Sequence, residues 1–251
     1  MIWLKFLYLP DLEGLEKLLI FPCFTIISTT PVTMTLIYLK IKKYFNREKD
    51  IKQRTWESCC NRLISDISSL FTKYRYLKDS DVLFDTEKQD FIDILKGKAD
   101  IIAYGKSLKI LSSALEQYHK QKVIILIDEY DTPLNAAHTN DYQREAVDFM
   151  SNLLSEALKD NSSLKKGILV GINHTLKGNI FSGLNNVKAY TVFDDMYAEY
   201  FGITESEMQE MLQYNDMELT DEVKKWYNGY RIGGYEVYNP WSVINYVNRK
   251  E

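Results

Sequence analysis

Hydrophobic residues along this chain fall into two patterns, short uninterrupted apolar runs and longer stretches with helical spacing. The run at residues 123–127 reads VIILI, and a related run at residues 167–172 reads GILVGI. Five branched apolar residues in a row are too few for a free-standing helix and too evenly apolar for a strand with one face in water. The two runs therefore predict two buried inner strands of a parallel sheet.

Helical spacing dominates the sequence before and between these runs. Apolar residues recur at intervals of three and four around residues 56–74, 108–118 and 147–158. The last of these stretches separates the two apolar runs, and a crossover from strand to helix to strand joins parallel neighbours. The pattern predicts an α/β core over residues 36–200, with a parallel sheet flanked by helices.

After residue 200 the alternation of strands and helices stops. Thr204 and Glu207 form a capping-box sequence, and Asn239 followed by Pro240 predicts the start of the last helix. We therefore expect residues 201–251 to form a small helical lobe that resembles a lid.

The N-terminal segment does not fit this alternation. Residues 18–39 contain no charged side chain, which is long enough for a membrane span. Two prolines and six serine or threonine residues interrupt that stretch. Acidic residues precede it where a signal peptide has basic ones. We interpret the stretch as a loop followed by a buried strand at residues 36–39, with residues 1–35 as an atypical segment outside the domain and no membrane partner.

Composition narrows the choice of partner and compartment. The 251 residues include 31 Lys or Arg and 35 Asp or Glu, so the net charge is −4 and no overall basic field favours nucleic acid. The three cysteines have no metal-binding spacing, and their odd count predicts reduced thiols in a cytoplasmic protein.

Two carboxylates, Asp128 and Glu129, directly follow the first apolar run. In an open α/β sheet, ligands bind at the carboxyl ends of the strands. An apolar run followed by Asp-Glu is also the Walker B pattern of P-loop nucleotide hydrolases. In that pattern the first acid holds Mg²⁺ and the second activates a water for attack on a γ-phosphate. The alternative is that both acids cap the turn after the strand.

Asn173 and His174 follow the second apolar run in the same way. Their position beside the predicted site suggests that they bind the phosphates of a nucleotide cofactor. The alternative is that His174 is a loop residue bonded to the backbone.

Four further motifs accompany the acidic strand end. The five segments, in chain order, are residues 126–134 (LIDEYDTPL), Gly171 followed by residues 179–186 (NIFSGLNN), residues 200–205 (YFGITE), residues 226–230 (WYNGY) and residues 237–242 (VYNPWS). Together they resemble the AAA-ATPase-like domain family, from residue 36 to the end. The resemblance implies a P-loop NTPase-like fold of the AAA (ASCE) type, with ATP and Mg²⁺ as cofactors. It also implies Asp128 as the metal acid and Glu129 as the catalytic acid that activates water.

The sequence departs from the family pattern at the phosphate loop. Family members carry a Gly-Lys-Ser loop ahead of the second strand, and none occurs there. Gly105, Lys106 and Ser107 match by letters only, because they follow no apolar strand and lack the upstream glycine. They predict a helix start capped by Ser107. The family's polar residue near Val170 and arginine near His174 are also replaced. Bacterial members commonly continue into a nuclease-like domain of the PD-(D/E)XK type, so we expect a copy truncated at both ends.

Two classes of function follow. One is an ATP-binding, hydrolysing domain, weakened or inactivated by the missing phosphate loop. The other is a catalytically dead NTPase fold, kept as a protein-interaction module or as a gene remnant. A third class, a metal-dependent nuclease using Asp128, Glu129 and Asp131, lacks the Glu-x-Lys strand that would activate water beside them.

Overall fold

We describe the fold from a computed structural model of the chain. It defines residues 35–41, 55–159, 161–171, 180–181, 184, 187–191 and 194–249. Residues 1–34 lie outside the described part, so the interpretation of residues 1–35 stays a prediction. The chain divides into two compact units, one comprising Thr33–Val187 and the other containing Lys188–Glu251. The predicted boundary lies at residue 200, and the division observed here falls between Val187 and Lys188.

A three-stranded parallel sheet forms the centre of the first unit. Its strands are β1 (Thr35–Lys40), β2 (Val123–Asp128) and β3 (Leu164–Val170), in the spatial order β1, β2, β3. Every residue of β2 is buried, because the strand is almost wholly apolar and both of its edges are paired. The prediction of a buried central strand is therefore confirmed, as is a strand through residues 36–39.

The structure differs from the expectation that β3 is also a buried inner strand. Within the described part of the chain β3 pairs with β2 alone, so it is an edge strand of the sheet that the described residues form. Its residues are half-buried or exposed, and Lys165 and Lys166 point into solvent. The apolar run of this strand was correctly identified, but a run of this length does not show how many neighbours the strand has.

Helices flank this sheet. Those described in the first unit are α1 (Trp56–Lys73), α2 (Asp85–Leu95), α3 (Ile101–His119), α4 (Thr132–Thr139) and α5 (Gln143–Leu158). Helix α3 has fully buried leucines at positions 108, 111 and 115, and α5 buries Met150, Leu153 and Leu154. Spacings of three and four put such residues on one face of each helix. The helical spacing read from the sequence therefore marks the faces that enter the core.

The expected helix start at Ser107 is wrong. Helix α3 begins about two turns earlier, where the Asp100 carboxylate accepts a hydrogen bond from the Ala103 amide at 2.7 Å. Ser107 is fully buried inside this helix and donates to the Tyr104 carbonyl at 2.7 Å. An aspartate is an equally good cap, and the apolar pattern alone did not exclude the earlier start. Gly105 packs against the Asn152 side chain in mid-helix, so this segment has no loop to bind phosphate.

The second unit contains helices together with a sheet that was not predicted. Its helices are α6 (Glu205–Tyr214), α7 (Asp221–Tyr227) and α8 (Pro240–Arg249), and its strands are β4 (Ile203–Thr204), β5 (Asn228–Ile232) and β6 (Tyr235–Tyr238). The strands are antiparallel in the order β4, β6, β5. The capping box of Thr204 and Glu207 is confirmed at the start of α6. The expectation of a purely helical lobe is wrong. Gly233 and Gly234 connect β5 and β6, two strands rich in aromatic and β-branched residues.

The sequence predicts reduced thiols and no membrane partner, and the described residues bear on both. Cys59 and Cys60 are free thiols, and burial raises the pKa of each. Among the described helices, none has the length and apolar character that crossing a bilayer requires. The cytoplasmic compartment stays a prediction.

We expect Ile125→Ala to lower the free energy of unfolding by about 2–5 kcal/mol, because it removes buried methyl and methylene groups from the central strand. Ile125 is fully buried and Ile102, on the surface of α3, is exposed. Ile102→Ala is therefore the matched control, with an expected change within about 0.5 kcal/mol. Urea unfolding followed by circular dichroism measures both. Equal effects of the two substitutions would contradict the burial of β2.

Candidate functional site

The pairing of β1 with β2 places Lys40 beside Asp128. The two residues are direct partners in the parallel register. Side chains two residues apart on a strand point to the same face, so Tyr38 stands on the same face as Lys40 and Asp128. The carboxyl ends of the strands therefore bring together an ammonium, a phenol and a carboxylate.

Lys40 contacts both of the predicted acids. Its Nζ atom lies 3.3 Å from Asp128 Oδ2 and 3.8 Å from Glu129 Oε1. The Tyr38 hydroxyl donates a hydrogen bond to the same Asp128 Oδ2 at 3.2 Å. One oxygen of Asp128 therefore receives both the ion pair and the hydrogen bond.

Asp128 is the most buried of these side chains. Its side chain is 5% exposed, whereas that of Lys40 is 40% exposed. The second oxygen, Oδ1, is buried and has no hydrogen-bond partner among the described residues. A buried carboxylate is costly unless it is paired. Lys40 and Tyr38 therefore offset the cost of burying the Asp128 carboxylate, and both of their contacts are to Oδ2.

Glu129 leaves β2 in a left-handed backbone conformation. Its φ of 56° is uncommon for any residue except glycine. Besides the Lys40 contact, the Thr132 hydroxyl donates to Glu129 Oε2 at 3.4 Å. Both oxygens of this carboxylate therefore have a partner, although the side chain remains 29% exposed.

Tyr130 and Asp131 form the start of the loop after β2. The Tyr130 amide donates to the Val170 carbonyl at 3.3 Å, and Asp131 Oδ2 accepts from Asn135 Nδ2 at 3.2 Å. Burial, and secondarily the nearby charge of Asp131, raises the pKa of Tyr130 to about 12. The Tyr130 phenol therefore stays protonated at neutral pH. This loop is tied both to the end of β3 and to helix α4.

Gly171 allows this loop to approach the end of β3. A Cβ atom at Gly171 would lie 2.7 Å from Tyr130 Cε1 and 2.8 Å from Asp131 Oδ1. Both distances are shorter than van der Waals contact allows. Glycine at position 171, within the second apolar run, is thus explained by its close packing against Tyr130 and Asp131.

The predicted site residues have different outcomes. Asp128 and Glu129 stand together at the carboxyl end of β2, as expected, and their chemical roles stay predictions. Asn173 and His174 lie outside the described residues. Their predicted contacts with phosphate therefore stay predictions. In the described part of the chain no three His, Cys, Asp or Glu side chains are grouped to hold a metal ion. The three-acid nuclease site with Asp131 therefore has no geometric support.

Lys40 and Tyr38 were not predicted as site residues. The predicted strand ended one residue before Lys40, and a single strand does not reveal which residue of a neighbouring strand it pairs with. A useful signal was nevertheless present. A lysine at the carboxyl end of one parallel strand and an acid at the end of another reach the same edge of the sheet.

Comparison with known proteins agrees with this architecture. A family model described as predicted AAA-ATPase matches residues 26–181, more than half of the chain. The chain belongs to this AAA-ATPase-like family. A parallel sheet flanked by helices is consistent with a P-loop-like fold for the family. No solved structure shows significant similarity to the chain.

A relative of this AAA-ATPase-like chain occurs in Azotobacter chroococcum mcd 1, as an uncharacterised protein in the vnfD 5′ region. The two sequences are 32% identical over 133 residues, which is 52% of this chain and 26% of the relative. The matched part of the chain thus spans about a quarter of the relative's length. The likeness concerns one part of a longer protein.

Mg²⁺, which the AAA-ATPase-like family implies, does not fit the arrangement of these side chains. The ion requires near-octahedral oxygen ligands at roughly 2.0–2.1 Å and usually keeps several waters. Asp128 offers one buried oxygen and one that already serves Lys40 and Tyr38. The ammonium of Lys40 adds a positive charge beside the carboxylate that would bind the ion.

We expect Gly171→Ala to destabilise the chain by about 1–3 kcal/mol, because the new methyl group displaces Tyr130 or Asp131. Gly234→Ala is the control, since a Cβ atom there meets no atom within 4 Å. Its expected change is within about 0.5 kcal/mol. Thermal and urea unfolding of both variants measure the difference. A neutral Gly171→Ala would show that the loop after β2 does not pack as described.

Proposed function

We propose that this chain is an AAA-ATPase-like domain that binds ATP weakly and hydrolyses it negligibly. The observation that carries the proposal is the position of Lys40, whose ammonium contacts both Asp128 and Glu129. The two acids that the family resemblance assigns to nucleotide hydrolysis are thereby engaged within the protein.

The contacts of Glu129 argue against efficient activation of water. A general base needs a free lone pair within hydrogen-bond reach of the water that it deprotonates. One oxygen of Glu129 contacts Lys40 and the other accepts from Thr132. Each carboxylate oxygen can accept a further hydrogen bond, so these contacts compete with a catalytic water for Glu129 without excluding it.

The sequence also supports weak binding of the phosphates. No Gly-x-x-x-x-Gly-Lys-Ser/Thr segment occurs in the 251 residues. Backbone amides and the lysine of such a loop supply most of the positive field that holds a triphosphate. Charge-assisted hydrogen bonds contribute about 1.5–3 kcal/mol each. Loss of several of them moves a micromolar site to about millimolar or weaker.

A second candidate function is a protein-interaction module with no nucleotide chemistry. The observation that favours it is a group of large exposed aromatic side chains in the second unit: Tyr214, Trp226, Tyr230, Tyr235 and Trp241. Exposed aromatic residues are enriched where proteins bind one another. This candidate predicts no ATP binding at all, which separates it from the weak binding proposed above.

Calorimetric titration with Mg-ATP tests the proposed function. We expect a dissociation constant of about 1 mM or weaker and no steady-state phosphate release above a protein-free control. Glu129→Gln, which by resemblance would trap bound ATP in an active enzyme, should change the affinity less than about twofold. Asp148→Asn removes an exposed acid on α5 and is the matched control. A micromolar dissociation constant that Asp128→Ala weakens at least about tenfold would contradict the proposal.

A further inference from the structure

We infer that Lys40 is an internal cation that takes the place of a divalent metal ion at Asp128 and Glu129, and that its removal opens a site for Mg²⁺ or Mn²⁺. The inference deepens the proposed function and rests on it, because it concerns the same two carboxylates. It is argued from the contacts of Lys40 with Asp128 and Glu129 at the end of β2, and none of these contacts includes a nucleotide.

The ammonium of Lys40 has the position and charge of a bridging counter-ion. It lies 3.3 Å from Asp128 Oδ2 and 3.8 Å from Glu129 Oε1. An ammonium group carries three donors and one positive charge in a compact volume. A single lysine can therefore neutralise part of the charge that two adjacent acids would otherwise leave uncompensated.

The register of the sheet makes this arrangement a property of the fold. Lys40 is the direct partner of Asp128, so its stem begins one strand away on the same face. Asp128 is held in addition by the Tyr38 hydroxyl. The ion pair therefore joins two neighbouring strands at fixed positions, unlike a pair between two mobile surface side chains.

A divalent ion and the ammonium compete for the same oxygens. A metal ion bridging Asp128 and Glu129 would lie within a few ångströms of Lys40 Nζ, and like charges at that separation repel strongly in a partly buried site. Asp128 Oδ1 is buried among the described residues and offers no second route of approach. With Lys40 in place, the protein supplies the cation itself.

Without the ammonium, the same groups form a set of hard oxygen donors. Asp128 Oδ2 and Glu129 Oε1 then border the space that the lysine head leaves, and the Tyr38 hydroxyl is bonded to Asp128 Oδ2. Mg²⁺ and Mn²⁺ prefer such oxygen ligands and complete their coordination with water. Lys40 is 40% exposed, so water and ions can reach this space from the solvent.

The test is a titration of the nucleotide-free chain with Mn²⁺, in which electron paramagnetic resonance measures the free ion. We compare the wild type with Lys40→Met, which keeps an unbranched side chain, shortens it by the terminal atom and removes the charge. The control is Lys109→Met, because Lys109 is 39% exposed and pairs with one acid, Glu156, at 2.9 Å. We expect Lys40→Met to bind one Mn²⁺ at least about tenfold more tightly than the wild type. Lys109→Met should behave as the wild type does.

Two further measurements identify the site. Adding Asp128→Asn to Lys40→Met should abolish the gained affinity, because it removes the charge of the main ligand. Mn²⁺ at about 10 mM should raise the melting temperature of Lys40→Met and leave that of the wild type unchanged, since a ligand that binds only the folded state stabilises it. Lys40→Gln, which keeps a polar tip, replaces Lys40→Met if the latter does not fold.

The inference is overturned if folded Lys40→Met or Lys40→Gln binds Mn²⁺ no more tightly than the wild type. It is also overturned if the gain survives Asp128→Asn, or if Lys109→Met shows the same gain. Because ATP is absent, these outcomes are independent of the calorimetric result. Tight ATP binding by the wild type would overturn the proposed function alone, whereas an unchanged affinity for Mn²⁺ would overturn the role of Lys40 alone.

Discussion

The structure of the first unit depends on how an almost wholly buried carboxylate is compensated. Asp128 ends a strand whose every residue is buried, so solvent contributes little to its hydration. The protein must provide a partner, and it does so from the neighbouring parallel strand. A slip of one residue between β1 and β2 would turn Lys40 and Tyr38 to the opposite face of the sheet. The charge of Asp128 and the register of the sheet are therefore coupled.

This coupling links the stability of the sheet to the chemistry available at its edge. A carboxylate that binds a metal ion or activates water needs free lone pairs. A buried carboxylate that joins two strands needs those lone pairs to be engaged. In this chain Lys40 and Tyr38 engage Oδ2 of Asp128, Oδ1 has no hydrogen-bond partner among the described residues, and Glu129 contacts Lys40 and Thr132. The same contacts that stabilise the end of β2 are those that withdraw the acids from catalysis in the proposed function.

The elements with strong periodicity could be predicted from the sequence. The run of five branched apolar residues identified β2, helical spacing identified α1, α3 and α5, and the position of Asp128 and Glu129 at the strand end followed from the order of residues. These predictions depend on local patterns alone. The exposure of β3, the start of α3 at Asp100 and the hairpin around Gly233 were missed. Each of them is decided by a neighbouring element or by a choice between two equally good local signals.

Lys40 shows why the function of an acidic strand end is harder to predict than its position. An apolar run followed by Asp-Glu fixes where the carboxylates are, since the strand period and the buried run leave little freedom. It does not fix their electrostatic state, because the residue that decides it lies 88 positions earlier, on another strand. A neutral side chain at position 40 would leave two adjacent acids that attract a divalent ion, whereas lysine supplies the counter-charge from within. The chemistry of an acidic strand end is therefore a property of the pair of strands, and the register between them is the information that the motif does not contain.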